Sequence, residues 1–435
     1  MKRFERPEDM GEPIVPDPAG EIVVMKFGGS SLASDDLRRL AARRVADEIG
    51  AGKRPVVVVS ALGRSPAPYA TDTLLELAPE ADGPNRDLLL SSGESISAGV
   101  FAALLESLGI RAVAISGAQA GIHTEKRHGD ARITAVDPAF VRLQLRDGIT
   151  PVVAGFQGIA ADGTITTLGR GGSDLTAMAL AGALDHARCE IFTDVDGVMT
   201  ADPKRVAGAH TIGALTFEEA DELAANGANI MHDRAAGLAR EEQTPYSVLG
   251  LRSGAGTDIG AERPIDLDAP VTGIATIGGY TFLHAVPEAA AMPGGWELEA
   301  LRALGDERVS IDCVNINRAG LFFCVRDEDL HRTRAVLEKL PVALRFTRDC
   351  AKISIVGAGM RGTPGVMYAV VRVLVDTRVP IIHSTDSNIT ISILVPGTQA
   401  ASAEAALHRH FGLEMQSRPL EAGARAQERG TAREE

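Results

Sequence analysis

Aromatic residues are scarce in this chain: they make up 4% of its 435 residues, with a single tryptophan. That scarcity excludes a stacking platform for single-stranded nucleic acid. Positive charge is also short, with 44 Lys and Arg against 58 Asp and Glu and a formal net charge of -14. Such a field repels nucleic acid and anionic membranes in bulk, while leaving room for a local cationic site. The four cysteines, Cys189, Cys313, Cys324 and Cys350, include no Cys-x-x-Cys pair. Neither a zinc ribbon nor a redox motif is indicated, and reduced thiols in a cytoplasmic protein are expected. No apolar run approaches the length expected of a membrane-spanning helix, and residues 1–20 lack the apolar core of a signal peptide. The ordinary phosphate loop Gly-x-x-x-x-Gly-Lys-Ser/Thr and the Gly-x-Ser-x-Gly elbow of esterases are both missing.

What is present is a pair of glycine-rich segments, Lys26-Phe27-Gly28-Gly29-Ser30-Ser31 and Gly169-Arg170-Gly171-Gly172-Ser173-Asp174. Each follows a strand-like run and leads into a helix-like one. Adjacent glycines let main-chain N–H groups approach a ligand closely, and a helix N-terminus adds partial positive charge, a combination that suits phosphate. Lys26 adds a mobile positive charge, and Asp174 is positioned to orient it or to contact a metal. Arg170, between glycines at a strand end, suits bidentate capture of a carboxylate. Ser30, Ser60 and Ser173 are each most simply turn or cap residues, Ser173 capping its helix. Glu94, in Ser91-Ser92-Gly93-Glu94, gains a role in binding an ammonium group only where it meets the glycine segments in space. Asp194, in Thr193-Asp194-Val195-Asp196-Gly197, faces a nucleotide ribose or base on the functional reading, whereas Asp196 reads as a solvated acidic turn. His123 and His128 read as solvated loop histidines.

Length alone calls for two or three domains. Short β-rich runs at 21–25, 55–59, 111–115, 151–154 and 190–193 alternate with helical stretches such as 34–49, opened by Ser34 as N-cap, and 87–108, interrupted at Ser91-Ser92-Gly93-Glu94. This alternation predicts an α/β fold with a mainly parallel sheet covered by helices on both faces, its ligand lying beyond the carboxyl ends of the strands. Residues 1–20 read as a flexible leader and 21–262 as the first domain. A linker at 263–270 is followed by two small segments, 271–340 and 350–413, and by a charged, disordered tail at 416–435. In the last segment the order is strand 352–356, glycine turn, helix 364–377, strand 379–383, turn 384–388 and strand 389–395. Gly357-Ala358-Gly359-Met360-Arg361-Gly362 spells a dinucleotide-binding fingerprint, but the hairpin that follows excludes a parallel crossover. A regulatory module whose glycine turn suits an amino acid carboxylate fits better.

Val24-Met25-Lys26-Phe27-Gly28-Gly29-Ser30-Ser31 resembles the opening motif of the aspartate kinases, in the amino acid kinase superfamily. Ser60-Ala61-Leu62-Gly63, Thr71-Asp72, Ser92-Gly93-Glu94, Gly155-Phe156-Gln157-Gly158, residues 168–174 and residues 192–203 follow in that family's order. The C-terminal part resembles its paired ACT domains, which are ferredoxin-like α+β modules. Tyr69-Ala70-Thr71-Asp72 with Ser116-Gly117-Ala118-Gln119-Ala120-Gly121 looks most like the diaminopimelate-sensitive enzymes of Gram-positive bacteria.

The resemblance implies ATP- and Mg²⁺-dependent phosphorylation of L-aspartate to 4-phospho-L-aspartate, the first step towards lysine, threonine and methionine. It implies that Lys26, Gly28, Gly29 and Ser30 hold the transferring phosphoryl group, with Asp174 ordering Lys26. Ser60, Thr71, Glu94, Arg170 and Ser173 are implied to bind aspartate, and Thr193, Asp194, Met199 and Lys204 to line the nucleotide pocket. Gly359, Met360, Gly365, Val366, Thr385, Asp386 and Asn388 are implied to bind an end-product effector, diaminopimelate, lysine or threonine, in a homodimer formed through the ACT domains. No residue is assigned as a dedicated metal ligand, and neither nucleic acid nor membrane is an expected partner. Departures are Asn229 where the family has Lys, Asp233 where it has Pro, and Lys204 where Arg is common. They motivate an alternative reading, a weakened paralogue that senses an amino acid.

Overall fold

The computed structural model describes residues 20–228, 231–287 and 295–414. The expected leader and tail, and Asn229, lie outside the described residues. The chain divides into two compact units, one comprising residues up to Val198 together with Ala214–Pro264, the other Met199–Gly213 together with the chain from Ile265 onward.

In the first unit the elements run β1 (Ile22–Phe27), α1 (Asp35–Gly50), β2 (Arg54–Val59), α2 (Thr71–Leu77), α3 (Gly83–Ser107), β3 (Ala112–Ile115), β4 (Ile122–Thr124) and β5 (Ile133–Val136). They continue with α4 (Ala139–Arg146), β6 (Thr150–Ala154), β7 (Gln157–Ala160), β8 (Ile165–Thr167), α5 (Gly172–Ala183), β9 (Arg188–Thr193), β10 (Ala214–Thr216), α6 (Phe217–Ala225), α7 (Asp233–Glu241), β11 (Tyr246–Gly250) and β12 (Gly256–Gly260). The main sheet has the order β10-β12-β11-β9-β1-β2-β6-β3. From β11 to β3 every pairing is parallel, and only β12 turns back against β11.

The Val-rich sequences of β1 and β2 are buried along their lengths, as central strands covered on both faces must be. Met25 and Phe27 pack with Ala41, Val45, Phe101 and Leu105 under α1 and α3. Side chains alternate along a strand, so Lys26 points to the other face, where α5 lies against β1, β2 and β9. Ser34 caps α1 by accepting from the Leu37 N–H, as its sequence indicates. By length and composition α3 is apolar enough to cross a membrane, contrary to the expectation from the sequence. Its inward face is instead core of this unit, and it runs unbroken through Ser91–Glu94, where Gly93 sits tightly against Tyr69 and Ala61.

The second unit is built on β13 (Gly273–Pro287), α8 (Trp296–Asp306), β14 (Asp312–Asn317), β15 (Gly320–Arg326), α9 (Leu330–Leu337), β16 (Val342–Val356), α10 (Val366–Asp376), β17 (His383–Asp386), β18 (Thr390–Pro396) and α11 (Ala400–His410). Its strands form one antiparallel sheet of order β14-β15-β13-β16-β18-β17.

Three expectations are corrected here. First, the two small segments are interleaved rather than consecutive. The 15-residue strands β13 and β16 pair from Gly273–Val356 to Pro287–Val342 across a bulge. Val271 and Ile274 therefore join the core of α10 and α11, while Val342 joins that of α8 and α9. Second, the strand placed at 379–383 begins at His383. Arg378 takes φ +57° and the Val379 N–H returns to the Leu374 carbonyl, so Val379 is the buried hydrophobic cap of α10. Third, residues 199–213 fall inside the stretch read as one domain, yet they pack with the second unit.

Candidate active site

The carboxyl ends of β1, β2 and β9 border a cavity of roughly 550 Å³. Its floor is the first glycine segment. Gly28 opens a short 3-10 turn over Gly29–Leu32, and the Ser60 and Gly63 N–H groups bond back to Phe27 and Gly29 carbonyls. A Cβ on Gly29 would lie 2.6 Å from the Gly63 carbonyl oxygen, so only glycine lets these two strand-end loops close on each other. Lys26 reaches into the cavity and its Nζ lies 2.5 Å from Asp174 Oδ1. Asp174 sits in the first turn of α5, where the helix dipole favours a carboxylate.

Gly171, at φ +69°, is the N-cap of α5, and a Cβ there would meet the His232 side chain at 2.2 Å. Ser173 thus lies inside the first helical turn, packed against Gly155, and is not the cap its sequence suggests. Beneath this loop the buried Asp87 carboxylate accepts from the Gly129 and Thr167 N–H groups and the Thr167 hydroxyl, and bonds the His128 ring at 2.8 Å. His128 is therefore a structural partner, not a solvated loop residue; His123 is exposed. Arg234 donates to Asp130, Leu168 and Ala131, tying the start of α7 to the loop that carries Gly169.

Lys26, Gly28, Gly29, Ser30, Ser60, Thr71, Asp174, Thr193 and Asp194 all line this one cavity. Glu94 stands just behind the lining. It is 3% exposed, its Oε1 accepts from the Ala61 N–H at 3.2 Å, and its Oε2 has no hydrogen-bond partner. Burial raises its pKa to about 8, against the opposing pull of backbone hydrogen bonds that include the Ala61 N–H. An unpartnered buried carboxylate oxygen is stabilised by an arriving cation.

Arg170 and Ser173 flank the lining without belonging to it, and Arg170 is exposed. Met199 and Lys204 fall in the 199–213 segment and do not line the cavity; the Lys204 N–H is held by Asp202. Asp196 is exposed in a bend, as the sequence suggests, and accepts from the Ser253 hydroxyl. Sequence reasoning did not single out Arg64, Met231 or Ala228, which also line the cavity, nor a lining role for His232 and Asp233. Arg64 had a visible signal, since it directly follows Ser60-Ala61-Leu62-Gly63. Among the described residues, no group of three or more His, Cys, Asp or Glu side chains is arranged to hold a metal ion.

In the second unit the Gly357 N–H bonds the Ile389 carbonyl, which sets the glycine turn beside the turn that contains Asn388. Gly359 approaches the Pro270 backbone so closely that a Cβ would lie 2.8 Å from its Cα. That packing accounts for the glycine without any dinucleotide. The side chains of Met360 and Val366 are in the core. Thr385 and Asp386 lie on β17, not in a turn, and the Thr385 hydroxyl points to Cys313 Sγ at 3.9 Å. All four cysteines are free and buried.

Comparison with known proteins agrees with this architecture. Residues 21–250 match the amino acid kinase family, and residues 353–411 match the ACT domain. Aspartokinase 1 of Bacillus subtilis is 38% identical over 90% of this chain and 99% of its own length. The crystal structure of Escherichia coli aspartokinase III with aspartate and ADP, in the R-state, covers 90% of this chain and 99% of its own, with a TM-score of 0.70 at 26% identity. The T-state of that enzyme with lysine and aspartate superposes with a TM-score of 0.71 at 25% identity, over 90% of this chain and all of its own.

Proposed function

The chain belongs to the amino acid kinase family and, within it, to the aspartokinases; from that premise we propose how it phosphorylates L-aspartate with ATP and how the reaction is regulated. The observation that supports the reading best is the single cavity in which the Lys26–Asp174 pair, the Gly28–Gly29 amides, Ser60 and Thr71 meet, with the Glu94 carboxylate just behind.

Attack of a carboxylate on a phosphoryl group brings two anions together. The protein supplies alignment and compensating charge rather than covalent chemistry. Lys26 and the N–H groups of the glycine turn neutralise charge growing on the transferring phosphoryl oxygens. Asp174 keeps Lys26 aimed at the cavity. Aspartate is gripped by its α-groups, the ammonium on Glu94 and the α-carboxylate on Arg170, with Ser60, Thr71 and Ser173 bordering it. That grip leaves the side-chain carboxylate as the nucleophile, so the product is 4-phospho-L-aspartate. Thr193 and Asp194 face the nucleotide. Mg²⁺ would enter with the nucleotide and supply further neutralisation of phosphate charge.

The wider reading is that this is the entry reaction to lysine, diaminopimelate, threonine and methionine synthesis, carried out in the cytoplasm. The turn at 357–365, with Thr385, Asp386 and Asn388, takes an end-product amino acid in a homodimer paired through the ACT modules. Lysine bound to the T-state of the Escherichia coli enzyme supports an effector of that class. The test is ADP release coupled to a spectrophotometric readout, with aspartate or glutamate as acceptor and with lysine, threonine or diaminopimelate added. Turnover on aspartate that one of the three suppresses is the expected result. Turnover on glutamate alone overturns the acceptor, and indifference to all three overturns the regulation.

A further inference from the structure

Three adjacent strands of the first unit share the cavity between their ends. In the sheet β1 lies between β9 and β2. The end of β1 gives Lys26 and the glycine turn, the end of β9 gives Thr193 and Asp194, and the chain beyond β2 gives Ser60, Arg64 and Thr71. Arg64 starts out close to the glycine turn. The N–H of its neighbour Gly63 donates to the Gly29 carbonyl at 3.0 Å. The Arg64 carbonyl accepts from the Ala67 N–H at 2.8 Å, and this tight turn fixes the point from which the side chain leaves. The residue is exposed, and among the described residues no ion pair or hydrogen bond engages its guanidinium.

The fixed charges of the lining are two cations, Lys26 and Arg64, against three carboxylates, Asp174, Asp194 and Asp233. Lys26 is already paired with Asp174. A triphosphate and an aspartate are together strongly anionic. Their reaction concentrates negative charge between the transferring phosphoryl group and the attacking carboxylate. One lysine in an ion pair leaves much of that charge uncompensated by the protein, and Arg64 is the cation with its charge still free. Position decides what it meets. On the reading above the nucleoside lies over β9 and the transferring phosphoryl group over the β1 turn, which leaves the β2 side to the acceptor. Arg64 stands where the β1 and β2 loops touch, and so at the junction of phosphoryl group and acceptor. A guanidinium suits that place, because it stays charged at any working pH and its planar fork spans two oxygens.

We propose that Arg64 is a catalytic residue of phosphoryl transfer: its guanidinium bridges the transferring phosphoryl group and the attacking side-chain carboxylate and stabilises the charge that builds as they meet. The inference rests on the kinase reading above. A carboxylate oxygen forms the new bond to phosphorus while the bond from phosphorus to the leaving oxygen of ADP breaks. Arg64 donates hydrogen bonds throughout and gives up no proton. An arginine that merely solvates a surface turn would leave turnover unchanged when its charge is removed.

Steady-state kinetics of Arg64→Met and Arg64→Lys in the full chain test it. Methionine keeps an unbranched stem and removes the charge; lysine keeps the charge and removes the fork. Arg64→Met is expected to lower kcat about 10²-fold, with KM for ATP and for aspartate each within about threefold of wild type, as for a group that acts in the transition state. Arg64→Lys should recover at least about a tenth of the wild-type kcat, because charge is kept and only bidentate geometry is lost. An exposed side chain without partners contributes little to folding, so both variants should melt with the wild type. A kcat within about twofold of wild type in Arg64→Met overturns the proposal. So does a rise in either KM with kcat unchanged, which would make Arg64 a binding residue for one ligand alone. A fall in melting temperature that tracks the lost activity overturns it as well, since the role is then structural. Absence of aspartate-dependent ADP release in the wild type would instead remove the kinase reading on which it rests.

Discussion

Each unit of this protein carries a Lys–Asp pair drawn from distant parts of the chain. In the first, Lys26 on β1 meets Asp174 on α5. In the second, Lys352 on β16 meets Asp312 on β14, and the Tyr280 hydroxyl donates to the same carboxylate. Both lysines are almost completely buried. The Lys26 pair borders a cavity of roughly 550 Å³ and a glycine turn. The Lys352 pair is roofed by the Tyr280 ring among Cys313, Cys324 and Leu394. Burial pulls the Lys352 pKa down, but the hydrogen bond and charge of Asp312 outweigh it and the net shift is upward; Asp312 is correspondingly lowered. On the function proposed above, the first pair serves phosphoryl transfer, whereas the second, packed under an aromatic ring, serves cohesion.

The comparison breaks most visibly under Lys26→Ala. It should lower kcat by about 10²–10³-fold, the usual cost of one preorganised charge-stabilising group. Near-normal turnover in that variant would put Lys26 in the same structural class as Lys352. Next in size, Glu94→Gln should raise KM for aspartate by about 10–100-fold, as expected when a charge-assisted hydrogen bond to an ammonium is lost. Because the free Glu94 carboxyl holds its proton up to about pH 8, wild-type kcat/KM for aspartate should climb with pH on a limb near that value. The Gln variant should lack the limb, and an unchanged pH–rate profile would remove Glu94 from ammonium binding.

The two glycine turns sharpen the contrast further. Gly29→Ala forces a Cβ to within 2.7 Å of two backbone oxygens and should cost about 1–3 kcal/mol, read as a lower Tm and a higher KM for ATP. Gly359→Ala should alter effector inhibition and leave kcat alone. The smallest effect belongs to Lys352→Met. With Asp312 partly exposed, solvent screening limits the loss to about 1 kcal/mol, and kcat should be unaffected. The depressed Asp312 carboxyl contributes stability above the ordinary carboxylate range and loses it as pH falls through its folded-state pKa. The raised Lys352 contributes below the ordinary lysine range and loses it as pH rises through its own. Wild type should therefore gain on Lys352→Met in melting temperature at neutral pH, and the gain should vanish in acid. A constant difference across that range would argue for packing rather than charge.

Much of the first unit could be read from local pattern. Val-rich runs ending in Lys26-Phe27-Gly28-Gly29 and in Ser60 announce buried parallel strands with polar ends, and those ends do meet in the cavity. Ser34 announces its helix cap. Less could be read in the second unit. Val379 has strand-like chemistry but serves as a helix cap, because the positive φ of Arg378 turns the chain back on α10. Asp87 looked like an ordinary helix residue; only contact with His128, Gly129 and Thr167 makes it the support of the second glycine loop.

Backbone preference and side-chain alternation act over a few residues, and those short-range terms were enough to set the strand–glycine–helix units, their order and the chemistry at each strand end. The interleaving of β13 with β16, the capture of residues 199–213 by α11, the raised pKa of Glu94 and the opposite fates of two Lys–Asp pairs were decided only on folding. Each depends on which distant groups exclude water from one another, and desolvation is a property of the packed neighbourhood rather than of any stretch of sequence.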